Sequence, residues 1–425
     1  MKSQKTWATI MGTVIVLLLP SCFSTNKISV QNLSNQYRPD EHYLRPEFTL
    51  YNINDSISLV YFKVDEGNLL FVRRLQADSF SAAVSINCKV TASYDDYKLE
   101  DTNTVVLKFS SISNSRHELA VGSIPLKMKA GAIHLLTITT TDLYSKKEDI
   151  NYIDADKISP DGGQNFMLRD PSNGYVVFSR YIDSAVTYAV MYSHPVQRYY
   201  VNYYHRNFPT AAPPFATVES SHFVYKPDSS FVLPAGSSGA AFINLKKEGF
   251  YHIQVDTNSR EGITLYRFPK YFPNIGEAGQ MASPLRYITT NEEYERVVKA
   301  KNVKQAVDEF WINTAGNAKE RAKSLIRNYY NRVQDANKFF TSYEEGWKTD
   351  RGMVYVVYGP PSIIFRNTSS EVWTYGEDRN YTALSFTFVK TNNPFTDNDY
   401  TLQREAQLRN LWYNAVDIWR EGRVY

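Results

Sequence analysis

From Glu47 onward the chain alternates apolar and polar residues in short runs separated by Asn, Ser, Gly and Asp clusters. Alternation at period two places one side of a strand in a core and the other in solvent. Ser58 to Lys63 and Asn68 to Arg73 flank the turn Asp65-Glu66-Gly67 and predict a hairpin. Ser81 to Val90, Thr104 to Phe109, His117 to Val121 and His134 to Thr140 continue the series. Short strands at this spacing predict an antiparallel sandwich over 47–157. After the break Ser159-Pro160-Asp161-Gly162-Gly163, a second β-sandwich-like domain is predicted over 158–274. Its strands are expected at Tyr175 to Phe178, Val186 to Tyr192, Arg198 to Tyr204, His222 to Tyr225, Gly239 to Asn244, Gly249 to Val255 and Gly262 to Phe268. Phe208 to Phe215 carries three prolines and reads as a stiff loop.

The period then changes. Thr290 with Glu293 forms a capping-box signal. Ala318, Ala322, Leu325, Ile326, Tyr329, Val333, Ala336 and Phe340 fall three or four apart, which predicts a long helix with one apolar stripe. Met353 to Tyr358, Ser362 to Phe365, Glu371 to Tyr375 and Leu384 to Val389 read as strands of the sheet that stripe covers. Leu408, Leu411, Trp412, Ala415, Val416 and Trp419 return to helical spacing. An α+β domain over 280–425 is the result, so the fold class is multidomain and mainly β, with two sandwiches ahead of one α+β unit.

The first residues have a different character. Lys2 and Lys5 precede an apolar run from Ala8 to Leu19, and Leu19-Pro20-Ser21-Cys22 closes it. The run is shorter than the roughly 20 apolar residues a spanning helix needs and has the form of a secretory signal over 1–21. A Cys after a small residue at this place resembles the lipobox of bacterial lipoproteins, although Pro20 departs from the pattern. That resemblance implies a lipid on Cys22 and a membrane partner reached through acyl chains. An ordinary signal peptide with an incidental Cys is the other reading. Phe23 in place of Asp points to the outer membrane, and the lack of an acidic cluster after Cys22 favours its periplasmic face over the cell surface. Residues 22–46 are polar and without sustained period, which reads as a tether.

Gly346-Trp347-Lys348-Thr349-Asp350-Arg351-Gly352 lies between the long helix and the downstream strands, with Gly359-Pro360-Pro361 and Trp373 beyond it. These residues resemble the GWxTD domain, found at the end of secreted bacterial proteins and carrying no settled activity. The loop with Trp373 and Tyr375 also resembles, as a loose pattern, small α+β lipoproteins that assist outer-membrane protein assembly. Two readings of the motif stand. In one it is a folding device: Gly346 takes a left-handed helix exit, Trp347 plugs the gap between helix and sheet, and Thr349 and Asp350 bond turn N–H groups. Gly352 relieves crowding there, and Gly359-Pro360-Pro361 ends a strand. In the other, Asp350, Arg351 and the loop at 359–361 form one end of a recognition surface, with Arg351 pairing Asp350 or a partner's carboxylate.

Composition narrows the chemistry. A net charge of +3 at pH 7, falling to about +1 once Lys2 and Lys5 leave, provides no field for a nucleic-acid backbone. His42, His117, His134, His194, His205, His222 and His252 form neither HExxH nor HxH, and no metal site or cofactor is expected. Neither a GxSxG elbow nor a phosphate loop occurs. Gly236-Ser237-Ser238-Gly239 reads as a loop. The carboxylate pairs Glu344-Glu345 and Asp397/Asp399 read as solvated charge, and no catalytic residue is assigned. Cys88 shares a strand face with Ile86 and Val90 and reads as a buried hydrophobe. Tyr199 and Tyr203 lie on one strand face and Tyr200 and Tyr204 on the other, so one pair can serve a glycan or a partner, with Tyr199 and Tyr203 the candidates. The leading expectation is a non-enzymatic, outer-membrane-anchored lipoprotein that serves a protein partner in an envelope assembly or secretion complex. A glycan- or peptidoglycan-binding lipoprotein is the alternative, and an unrecognised hydrolase the third.

Overall fold

A computed structural model describes residues 27–73, 78–112, 118–182, 185–217, 223–376 and 384–424. The signal segment, Cys22, His117 and His222 lie outside these. The first sandwich holds β1 (Glu47–Asn52), β2 (Ile57–Asp65), β3 (Val72–Arg73), β4 (Phe80–Thr91), β5 (Leu99–Ser111), β6 (Leu119–Lys127), β7 (Ile133–Asp142) and β8 (Glu148–Asp156). One sheet runs β1-β2-β6 and the other β3-β4-β7-β8, with β5 also paired to β4. Inward residues such as Val60, Phe62, Ile86 and Ile138 meet between the sheets. Cys88 lies among them, its thiol pushed up to about 12 by burial. The expected 58–73 hairpin does not form. Past a short helical turn at Glu66–Asn68 the chain crosses over, and β3 pairs with β4 rather than β2.

The second sandwich uses β9 (Phe166–Arg169), β10 (Tyr188–Tyr192), β11 (Arg198–Tyr204), β12 (Ser229–Pro234), β13 (Ala241–Ile243), β14 (Gly249–Gln254) and β15 (Ile263–Arg267). Its sheets are ordered β13-β10-β9 and β12-β11-β14-β15. Tyr175 to Phe178 makes only a single bridge, through Val176, and Phe223 to Tyr225 forms no strand. The alternation of apolar and polar positions did not single out β12. The back of the second sheet is apolar as well: Tyr204, Phe250 and Tyr266 pack on Phe395 of the C-terminal region. The part of this sheet around Tyr204, Phe250 and Tyr266 is therefore buried on both faces, which joins the sandwich to the C-terminal region.

That region contains α1 (Ala278–Ala282), α2 (Asn291–Val298), α3 (Val303–Thr314), α4 (Lys319–Phe340), α5 (Asp350–Tyr358) and α6 (Leu408–Arg420). Its sheet is antiparallel, in the order β16 (Ile363–Arg366), β17 (Ser370–Tyr375), β18 (Leu384–Lys390), β19 (Tyr400–Leu402). The stripe on α4 buries Leu325, Tyr329, Val333, Ala336 and Phe340 as its spacing predicted. Met353 to Tyr358 is helix, not strand. Thr349 caps it by accepting the Gly352 N–H, Asp350 supplies an acid to its first turn, and every residue from Arg351 to Tyr358 is buried. A helix apolar on all sides belongs in a core, and its short run cannot be told from a buried strand by period.

Residues 27–46 are not a free tether. Leu33 donates its N–H to the Ile364 carbonyl, Tyr37 is buried in the C-terminal core, and the Leu44 and Arg45 N–H groups bond Asp149 of the first sandwich. The segment bridges the first and last parts of the chain. No helix among the described residues is long and apolar enough to cross a membrane.

Candidate functional site

The motif begins where α4 ends. Gly346–Lys348 makes one tight helical turn against that helix. Gly346 does not take the left-handed conformation. Its role is close approach, since a Cβ there would run into the Ala336 carbonyl of α4. Trp347 is buried. Its N–H donates to Asn337 Oδ1 at 3.2 Å, its carbonyl accepts from the Tyr287 hydroxyl at 2.8 Å, and its ring meets Tyr287 edge-on. The Thr349 hydroxyl donates to the Gly346 carbonyl at 2.8 Å while accepting from the Gly352 N–H at 3.0 Å, which closes turn and helix into one unit. Gly359 does adopt a left-handed φ of 83° and ends α5 rather than a strand. Pro360 is exposed and Pro361 buried, with the Pro361 carbonyl accepting from Arg38.

The two charged motif residues point in different directions. Asp350 is clasped by the Arg404 guanidinium, and its Oδ2 accepts the Leu402 N–H at 2.8 Å. Arg351 does not pair with Asp350. It enters the core at 2% exposure and contacts Glu371 at 3.2 Å, the Tyr37 hydroxyl at 3.3 Å and the Asn398 carbonyl at 3.0 Å. Arg366 reaches the same Glu371 oxygen at 2.8 Å and the Tyr37 hydroxyl at 2.6 Å. The other Glu371 oxygen accepts from Trp373 Nε1 at 3.0 Å. Burial opposes the Glu371 charge, yet Arg366 and Arg351 outweigh it and hold the carboxyl below its ordinary range. Burial pushes the Tyr37 phenol up, so it stays a proton donor.

Of the motif residues, Gly346, Trp347, Thr349, Arg351, Gly352, Gly359, Pro361 and Trp373 are buried and Asp350 is partly buried. The recognition-surface reading fails for Arg351, which is 2% exposed and committed to Glu371, Tyr37 and Asn398. Sequence reasoning missed Tyr37, Arg366, Glu371 and Arg404. One signal was available: Glu371 alternates with Trp373 and Tyr375, so it shares their inward face and needs a buried cation.

Tyr199 and Tyr203 belong to the other correction. Tyr199 is 0% exposed, with its hydroxyl bonded to the Gly239 carbonyl at 2.6 Å, and Tyr203 is buried with its hydroxyl on the Glu248 carbonyl. Neither can stack on a glycan. Tyr200 is the partly exposed neighbour.

A group of acids lies near Asp350. Burial, reinforced by Asp399, raises Glu344 to about 8, and burial, eased by Arg351, leaves Asp399 at about 6. Glu344, Asp350 and Asp399 border neither of the two large clefts of the structure. His252 is buried against Thr264 and held down to about 4 by burial. Among the described residues no cluster of His, Cys, Asp and Glu has the arrangement of a metal site.

Residues 249–421 match the GWxTD domain, which here takes in β14 and β15 of the second sandwich together with the α+β region. No curated protein matches the chain.

Proposed function

We propose that this protein is a non-enzymatic lipoprotein, anchored through Cys22 to the periplasmic face of the outer membrane. Its body presents two β-sandwiches and the GWxTD domain to a protein partner in an envelope assembly or secretion complex. The observation that carries this reading is the internal use of the motif's charges: Arg351 goes to Glu371, Tyr37 and Asn398, and Asp350 to Arg404. Groups committed in this way stiffen a scaffold. They are not available as nucleophile, acid or base without breaking it.

The surface best suited to a protein partner is β12, an end strand of its sheet, where Phe231 is 40% and Val232 52% exposed. An uncovered apolar edge offers backbone donors and acceptors to an added strand. The test is a crosslinked pull-down from detergent-solubilised envelopes, comparing the native chain with Phe231→Lys/Val232→Lys. A stoichiometric companion lost only with the variant supports the reading. Repeated recovery of the native chain alone contradicts it. Metabolic labelling with a fatty acid, set against a Cys22→Ser chain, tests the anchor separately.

A further inference from the structure

The buried ion network also forms the floor of a cleft of about 800 Å³ between the first sandwich, the 27–46 segment and the GWxTD domain. Two guanidiniums, Arg351 and Arg366, share one carboxylate there, and Glu371 is already committed to both of them, to Tyr37 and to Trp373. Among direct ion pairs the floor therefore holds one cation more than its carboxylates, with Asp399 acting on Arg351 from outside the cleft lining. Arg366 keeps 14% of its side-chain surface and lines the cleft, with a hydrogen bond to the Tyr94 hydroxyl beside its contacts to Glu371 and Tyr37. A surplus charge held in place by protein attracts an anion more strongly than the same charge in water.

The walls narrow the class of anion. Tyr152 of the first sandwich is partly exposed there, backed by the buried Tyr94 in a tilted pair with centroids 6.2 Å apart, and Tyr400 lines the same space from the GWxTD side. Asp154 and Asp397 also line the cleft; Asp154 pairs with Lys390 at 2.8 Å, while no hydrogen bond to the Asp397 carboxylate is made by the described residues. The Asp397 charge penalises a doubly charged phosphate, and both carboxylates offer acceptors to hydroxyl groups. One negative charge, several hydroxyls and an apolar ring face are the attributes of a sugar acid. We propose that this cleft binds a carboxylate-bearing saccharide of one or two rings, its carboxylate toward Arg366, its hydroxyls toward Asp154 and Asp397, and a ring face on Tyr152. The volume lies within the range of small-ligand sites, which favour domain interfaces. The cleft stands independently of the protein-docking surface at β12.

Isothermal titration of the full chain tests this with three probes: an N-acetylmuramic-acid-containing disaccharide, a glucuronic-acid disaccharide and neutral N,N′-diacetylchitobiose. An acidic probe is expected to bind and to weaken as salt rises, while the neutral probe does not bind. Whichever acidic probe binds identifies the source, a cell-wall lactyl sugar or a uronate polymer. Arg366→Gln is expected to weaken binding about tenfold or more, and Tyr152→Ala, which leaves the ion network intact, to weaken it as well. If Arg366→Gln does not fold, Tyr152→Ala decides. Absence of binding by both acidic probes at millimolar concentration overturns the assignment. So does equal binding of the neutral disaccharide, or binding that survives the wall substitution unchanged.

Discussion

Gly352 sits directly over Gly346: a Cβ on Gly352 would land on the Gly346 carbonyl oxygen, just as one on Gly346 would land on Ala336. The two glycines of the motif are thus spacers that let a turn, a helix start and the end of α4 stack without side chains between them. Gly352→Ala is expected to destabilise the protein by about 3 kcal/mol, the upper end of overpacking costs, with Gly346→Ala similar. Gly279→Ala, where no atom lies within 4 Å of an added Cβ, is expected to be near neutral or better, since Ala suits a helix. Urea denaturation of the three variants measures this.

Thr349 joins the turn to α5 with a single hydroxyl that donates and accepts. Thr349→Ala is expected to cost about 1–2 kcal/mol, as for other capping residues, with Thr349→Ser recovering most of the loss. An equal loss in both variants would show that the methyl group, and not the cap, carries the effect.

The two faces of β11 give opposite expectations for residues one apart in sequence. Tyr199→Ala empties a fully buried site and orphans a hydrogen bond, for an expected cost of about 3–5 kcal/mol. Tyr200→Ala, on the partly exposed face, is expected to cost less than about 1 kcal/mol. Thermal unfolding of the pair measures the contrast.

Glu344 makes stability depend on pH. Its carboxyl rises from 4.5 in the unfolded chain to about 8 in the fold, through burial first and Asp399 next, with Asp350 and Glu345 adding and Lys348 opposing. Over that interval the folded state keeps a proton that the unfolded state has released, so stability falls as pH rises from about 4.5 to about 8. Asp399 adds a fall of the same sign up to about 6. Glu344→Gln is expected to flatten the decline and to melt above the parent chain at pH 8. A parent melting temperature that does not decrease between pH 5 and pH 8 would count against this environment for Glu344.

The β-layers were legible because alternation marks a one-sided strand directly, as along β2 and β4, and the α4 stripe because its period is unambiguous. Met353 to Tyr358 misled because a segment buried on every side shows no period. The local evidence for helix was the Thr349-Asp350 start, not the apolar run. For β11, alternation sorted the tyrosines into two faces without saying which faced the core, and Tyr204 on the outer face is covered by Phe395, nearly two hundred residues further along the chain. Tyr37 had no local signature at all. Its burial is decided by Arg351, Arg366 and Glu371, which are distant in sequence, in a segment whose polarity reads as solvent-exposed chain.

That segment provides the decisive measurement. The Tyr37 hydroxyl lies 3.0 Å from Glu371 Oε1, across 334 residues of sequence. A double-mutant cycle by urea denaturation, with Tyr37→Phe, Glu371→Gln and the pair, asks whether the motif's arginine network fastens the 27–46 segment to the GWxTD sheet. Glu371→Gln alone is expected to cost about 3–5 kcal/mol, because it leaves Arg351 and Arg366 buried without a counter-charge. The cycle is expected to give a coupling of about 1 kcal/mol or more. Additivity within about 0.5 kcal/mol, with Tyr37→Phe itself near neutral, would contradict a scaffold locked through the motif.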